Sequence, residues 1–182
     1  ALDRAPVAAF VAVLDDPSAE VRRCARIALG KSDDPAAAEA LQARIGDAEF
    51  RIDAARSLWR TKGEAGPYLD ALRADLPDSA ARIAEMGAAA APAVPDLVAA
   101  AEALDDPWDL TYVADALIAA GAPEKAWPLL VSMFGDEEND GDSLAVNAAA
   151  ELDTAFLAAR LVEGPDRFLA RRALVQQGPA GG

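Results

Sequence analysis

The sequence predicts an all-α fold, an α-solenoid of about five to six antiparallel helix hairpins. Three observations predict it. Alanine fills 47 of 182 positions, Val, Ile and Thr together number 19, and aromatic residues make up 5%. Alanine favours helix and adds little to a β-core. Apolar residues recur at helical spacing throughout, with breaks about every 15 residues. The helix–break–helix unit then repeats at about thirty residues, which is too short to bury its own apolar face. Each hairpin must therefore stack on its neighbours.

Each element has its own start or stop signal. Asp-Asp-Pro occurs at 15–17, 33–35 and 105–107. Its second Asp suits an N-cap and its Pro the first helical position. Gly30, Gly63, Gly87, Gly121 and Gly178 follow apolar runs and read as C-terminal stops. These signals predict six pairs of helices. They span about 5–14 with 17–29, 35–45 with 48–61, and 66–74 with 78–86. They continue at about 92–103 with 107–120, 123–134 with 142–152, and 154–162 with 166–177. One repeat domain over 1–177 is expected, with a disordered tail at 178–182.

The second helices align. Val21-Arg22-Arg23-Cys24-Ala25-Arg26-Ile27-Ala28-Leu29 lies over Phe50-Arg51-Ile52-Asp53-Ala54-Ala55-Arg56-Ser57-Leu58, and the apolar anchor recurs near Met86, Leu117, Leu152 and Leu174. Leu14-Asp15-Asp16-Pro17, Val21-Arg22, Ala25 and Ala28-Leu29-Gly30 together resemble the HEAT repeat. The closest form is the short bacterial PBS-lyase HEAT-like repeat, which the stretch from Gly87 to Asp106 also resembles. The resemblance implies a scaffold that holds other macromolecules on a concave surface. It also implies that Arg22 and Arg51 brace the turn Asp of their repeats. Pairs three to six lack an Arg at that position.

Net charge is −14, and it is unevenly spread. Residues 102–153 hold 13 acids against Lys125 alone, net −12, whereas residues 154–182 are net +2. Such a chain repels polyanions, so nucleic acid and anionic membrane are not expected as partners, and a basic protein is. No window of 18 apolar residues and no signal peptide are visible, and Cys24 is the single cysteine. A cytoplasmic location is expected, and Cys24, beside Ala25 and Ala28, reads as an inert core thiol. Arg outnumbers Lys 14 to 3, as in high-GC bacterial coding sequences.

The chain has no His, so Ser-His and Cys-His chemistry is excluded. No phosphate-cradling glycine loop is present, and no cofactor, metal ligand set or catalytic residue is expected. Asp136-Glu137-Glu138-Asn139-Asp140-Gly141 has the oxygen spacing of a calcium loop, but Asn147 stands where a bidentate Glu is required, and an acidic turn is expected. Two enzyme families share the HEAT-like frame. The alkylpurine DNA glycosylases are the alternative reading, resting on Trp59, Trp108, Trp127 and on Arg22, Arg23, Arg26, Arg51, Arg56, Arg60 and Lys62. No residue pattern supports the bilin chemistry of the phycobilin lyases. An inhibitor or immunity-type protein that neutralises a basic partner fits the charge as well as a scaffold does.

A helical wheel over 107–120 places Leu110, Val113, Ala114 and Leu117 on one side, with Gly121. Trp108, Tyr112, Asp115 and Ala119 fall within about 60° on the other. An aromatic pair opposite a core stripe suits an Arg- or Lys-bearing partner, with Asp109 and Asp115 as charge partners. Helix 48–61 repeats the arrangement, with Phe50, Ala54, Ser57 and Leu58 opposite Ile52, Ala55 and Trp59. The candidate partner-binding residues are therefore Trp108, Asp109, Tyr112, Asp115, Ile52 and Trp59. Val7 to Leu14 carries no charge. Either a second copy covers Val7, Phe10, Val11 and Leu14, or the natural chain extends upstream. The last helix reads as capped by Arg167, Arg171, Arg172, Gln176 and Gln177.

Overall fold

A computed structural model describes residues 7–134, 141–161 and 165–178. The described residues form helices and no strand, as an α-solenoid requires. Two compact units are described, Ala1–Ala74 and Asp75–Gly182.

The first unit holds α1 (Val7–Ala12), α2 (Ala19–Gly30), α3 (Pro35–Gln42), α4 (Arg51–Lys62) and α5 (Ala65–Arg73). Here α1 packs on α2 and α3 on α4, while α1 also meets α3 and α2 also meets α4. This ladder is what stacked hairpins give. Its core is Leu14, Ala25, Leu29, Ala37, Leu41, Phe50 and Ala54. Each fully buried Leu stabilises the fold by roughly 1.5–3 kcal/mol. Val7, Phe10 and Val11 pack against this core, and Leu14 is buried within it. The residues expected to await a second copy are thus turned inward, and Ala8, Ala9 and Ala12 are the exposed side of α1.

Charged latches join successive repeats. Arg44 reaches back to Asp15 at 2.6 Å and Arg60 to Asp33 at 2.7 Å. Arg22 donates to the main-chain carbonyls of Asp16 and Pro17 at 2.9 and 3.3 Å and to Glu49 at 3.3 Å. Arg22 therefore braces its turn through backbone oxygens rather than through the Asp carboxylate. The side chain of Arg51 is exposed and has no ion-pair partner among the described residues, so the expected second brace falls to Arg60. Cys24 is exposed, with its Sγ 3.7 Å from Glu20, because it shares the outer side of α2 with Glu20 and Arg23.

The second unit holds α6 (Ala80–Ala84), a 3-10 helix (Gly87–Ala93), α7 (Val94–Ala101), α8 (Pro107–Ala119), α9 (Pro123–Met133), α10 (Gly141–Ala150), α11 (Thr154–Ala158) and α12 (Pro165–Gln177). The even-numbered helices contact one another in succession, α6 with α8, α8 with α10 and α10 with α12. Ile83, Leu97, Val113, Leu117, Leu130, Leu157 and Leu169 are fully buried in this unit.

The start signals act as read at Asp34, which accepts from Ala36 N–H, and at Asp106, which accepts from the Trp108 and Asp109 amides. At the first site Asp16 accepts from Ser18 N–H at 2.8 Å, and α2 begins two residues later than expected. Asp153 caps α11 in the same way without a following Pro. Gly63, Gly87, Gly121 and Gly178 take positive φ, as stops require. Gly30 does not. It lies inside α2, and a Cβ there would stand 3.4 Å from the Asp53 side chain, so it serves close helix approach.

The five polar side chains expected to cap the last helix are all exposed, and three of them also make contacts within the unit. Arg172 pairs with Asp142 at 3.0 Å, Gln176 donates to Asn147 at 2.7 Å, and Gln177 donates to the carbonyls of Ala150 and Leu152. These side chains bind back to the preceding hairpin. Phe168 and Val175 are left facing outward.

Candidate functional site

The candidate face is built on α8. Pro107 starts the helix and is buried, and Asp106 holds the first two free amides at 2.9 and 3.2 Å. This fixes the helix register. Val113, Ala114, Ala116 and Leu117 are all 0% exposed, because α6, α7, α9 and α10 surround that side. Leu110, expected in the stripe, is half-buried. One turn apart on the opposite side, Trp108 is 53% and Tyr112 45% exposed. Asp109 is exposed beside them, and Asp115 is half-buried.

Asp115 is the electrostatically unusual member. Burial first, and then the Glu151 carboxylate, push its carboxyl pKa above the ordinary Asp value. A half-buried carboxylate next to another acid, one turn along the helix from the exposed Tyr112, is a place where an incoming cation removes repulsion. A guanidinium or ammonium group also gains from an aromatic face.

Ile52 and Trp59 lie in the first unit. Both are half-buried, and Trp59 stacks on Tyr68 with ring centroids 5.7 Å apart and planes inclined by 21°. Tyr68 is wholly buried on α5, so Trp59 seals the α4–α5 contact. Trp127 is also buried. Its Nε1 donates to Asp166 at 3.2 Å, its ring meets Phe156 edge-on, and the Arg160 guanidinium lies over both rings. Trp108 alone among the three tryptophans presents most of its surface outward.

The early arginines are largely committed. Arg22, Arg23, Arg26 and Arg60 face Glu49, Glu20, Asp53 and Asp33, and Lys62 donates to Gln42 at 3.2 Å. Among the described residues no cluster of His, Cys, Asp or Glu side chains is arranged to hold a metal ion. Most of the candidate calcium loop, residues 136–140, lies outside the described residues. Among the described residues no helix is long and apolar enough to cross a membrane.

Residues 2–59 match the family model for HEAT repeats. The match covers the first two hairpins, whose second helices align in sequence and whose packing forms the ladder described above. No curated protein matches the chain.

Proposed function

We propose that this chain is a non-enzymatic protein-binding scaffold or adaptor that holds a basic, Arg- or Lys-bearing protein on the Trp108–Tyr112 face. The repeat variety we assign is the short bacterial HEAT-like form, acting in the cytoplasm. HEAT repeats generally serve as protein-interaction scaffolds, and the match over residues 2–59 supports that class. The observation that carries the assignment is the pair of exposed aromatics one turn apart, opposite the fully buried Val113, Ala114 and Leu117. The helix does not need them for its own packing. Asp109 and Asp115 supply charge inside the segment of net −12. Aromatic anchors carry much of an interface's energy, and surrounding acids raise the association rate and the salt sensitivity.

The glycosylase alternative needs free cations along a nucleic-acid groove. Several of the arginines it would use are already paired with acids, which favours the scaffold.

The test is affinity capture from a native lysate with the wild type and with Trp108→Ala/Tyr112→Ala, identified by mass spectrometry. Basic proteins lost with the double variant, and released by moderate salt, are the expected result. A parallel gel-shift and base-release assay on alkylated DNA separates the enzyme class. Base release, or tight DNA binding at moderate salt, overturns the scaffold.

A further inference from the structure

The outer face of α12 is the opposite of the α8 face in charge, and among the described residues its Phe168 and Val175 are left exposed. Phe168 is 52% and Val175 73% exposed, the latter the most exposed large apolar side chain among the described residues. Two grooves run along this helix. One, of about 600 Å³, lies between Phe134 and Val146 on one side and Phe168, Arg172 and Val175 on the other. The second, of about 420 Å³, is lined by Leu161, Leu174, Val175 and Gly178. Arg171 and Val175 line both, so these two residues separate the two apolar troughs.

Among the described residues, two acids on α10 and α12 are already engaged. Asp142 is engaged by Arg172, and Asp166 accepts from Trp127. The Arg171 side chain has no hydrogen bond or ion pair among the described residues, and neither does that of Arg167, one turn before it, whose guanidinium lies over Phe168 at 4.9 Å. Like charges at this spacing weaken a helix rather than support it. The chain as a whole is acidic, but at physiological salt a docking group feels charges within about 8 Å, and the charges on α12 are mostly basic.

We infer that the α12 face is a second docking surface, whose occupant is an acidic amphipathic segment of another protein. Its apolar side chains enter the troughs on either side of Val175, and its carboxylates meet Arg171 and Arg167. The adaptor would then hold a basic partner on α8 and an acidic one on α12.

The test uses the full chain and a displayed library of random 12-residue peptides, with Phe168→Ser and Arg171→Glu as variants. Both positions are exposed, and unchanged circular dichroism melting of each variant checks the fold. Peptides that bind the wild type and lose at least about tenfold in affinity with either variant should carry net negative charge and two apolar residues three or four apart. They should bind Trp108→Ala undiminished, which separates this surface from the α8 face. The inference is overturned if the Phe168-dependent peptides are neutral or basic, or if none is recovered. It is also overturned if sedimentation shows a dimer that Phe168→Ser dissolves, since a second copy is then the occupant. Phe168-dependent binding to phosphatidylglycerol vesicles overturns it in favour of a membrane.

Discussion

Trp59 on α4 stacks on Tyr68 on α5, centroid to centroid at 5.7 Å, and Tyr68 is completely buried beneath it. This contact ties two consecutive helices of the first unit together. Removing the indole strips cover from Tyr68 and leaves a void beside it. Trp59→Ala should therefore destabilise the first unit by about 2–4 kcal/mol, less than a fully enclosed Trp because the ring is half-exposed. Urea unfolding followed by circular dichroism reads this. A change below about 0.5 kcal/mol, the size expected of an ordinary surface site, would return Trp59 to the pool of binding residues.

Trp108 should behave in the opposite way. Trp108→Ala removes an exposed ring and should change stability by no more than about 0.5 kcal/mol. Leu117→Ala, on the fully buried side of the same helix, should cost roughly 2–5 kcal/mol. Equal losses from the two variants would place Trp108 in the core and remove the proposed face.

The contrast between these tryptophans marks what the sequence could show. Periodicity located all twelve α-helices of the described residues, because apolar spacing and many of the start and stop signals act locally. A wheel also separates the two sides of α8, because four helices crowd one side and the aromatics sit on the other. It cannot say what a neighbouring helix covers. Trp59 and Trp108 look alike on their wheels, yet only Trp59 has a Tyr68 opposite it. The same blindness hid α12. Its Arg172 and Gln176 read as an outward cap, and both are exposed, but they also bind Asp142 and Asn147 one repeat earlier. That pairing spans about thirty residues and has no local signature.

Adjacent aspartates in the repeated Asp-Asp-Pro should differ in cost. Asp106 accepts from two helix amides, whereas Asp105 is exposed and makes no ion pair among the described residues. Asp106→Ala should destabilise the second unit by about 1 kcal/mol, and Asp105→Ala by no more than about 0.5 kcal/mol. In the second copy Asp34 is the cap and Asp33 the partner of Arg60, an exposed latch worth at most about 1 kcal/mol. Melting temperatures of the four single alanine variants test the ordering. A larger loss at Asp105 than at Asp106 would show that capping does not set this boundary.

Cys24 is exposed on α2, so its thiol should react with a disulfide reagent in the folded chain. One equivalent of thionitrobenzoate should be released without denaturant, at a rate that urea raises little. A thiol that reacts only after unfolding would mean that α2 packs differently and that its outer side is covered.

Asp115 joins stability to binding through its charge. Its native pKa lies above the unfolded value because burial and Glu151 both disfavour the carboxylate. Between those two values the folded chain holds more protons than the unfolded chain, so stability falls as pH rises through the window. Above the window the full penalty stands, and below the ordinary Asp range it is absent. Asp115→Asn removes the charge without removing the volume. It should raise the urea midpoint at pH 7, and the gain should vanish as the medium is acidified past the ordinary Asp value. The same variant should weaken a basic partner, because it deletes one of the carboxylates that a cation would meet. A gain in stability with a loss in binding is the pattern of a site held for function at the expense of the fold. If Asp115→Asn lowers the urea midpoint at pH 7, the ionised carboxylate is serving the fold, and the α8 face loses its charge partner.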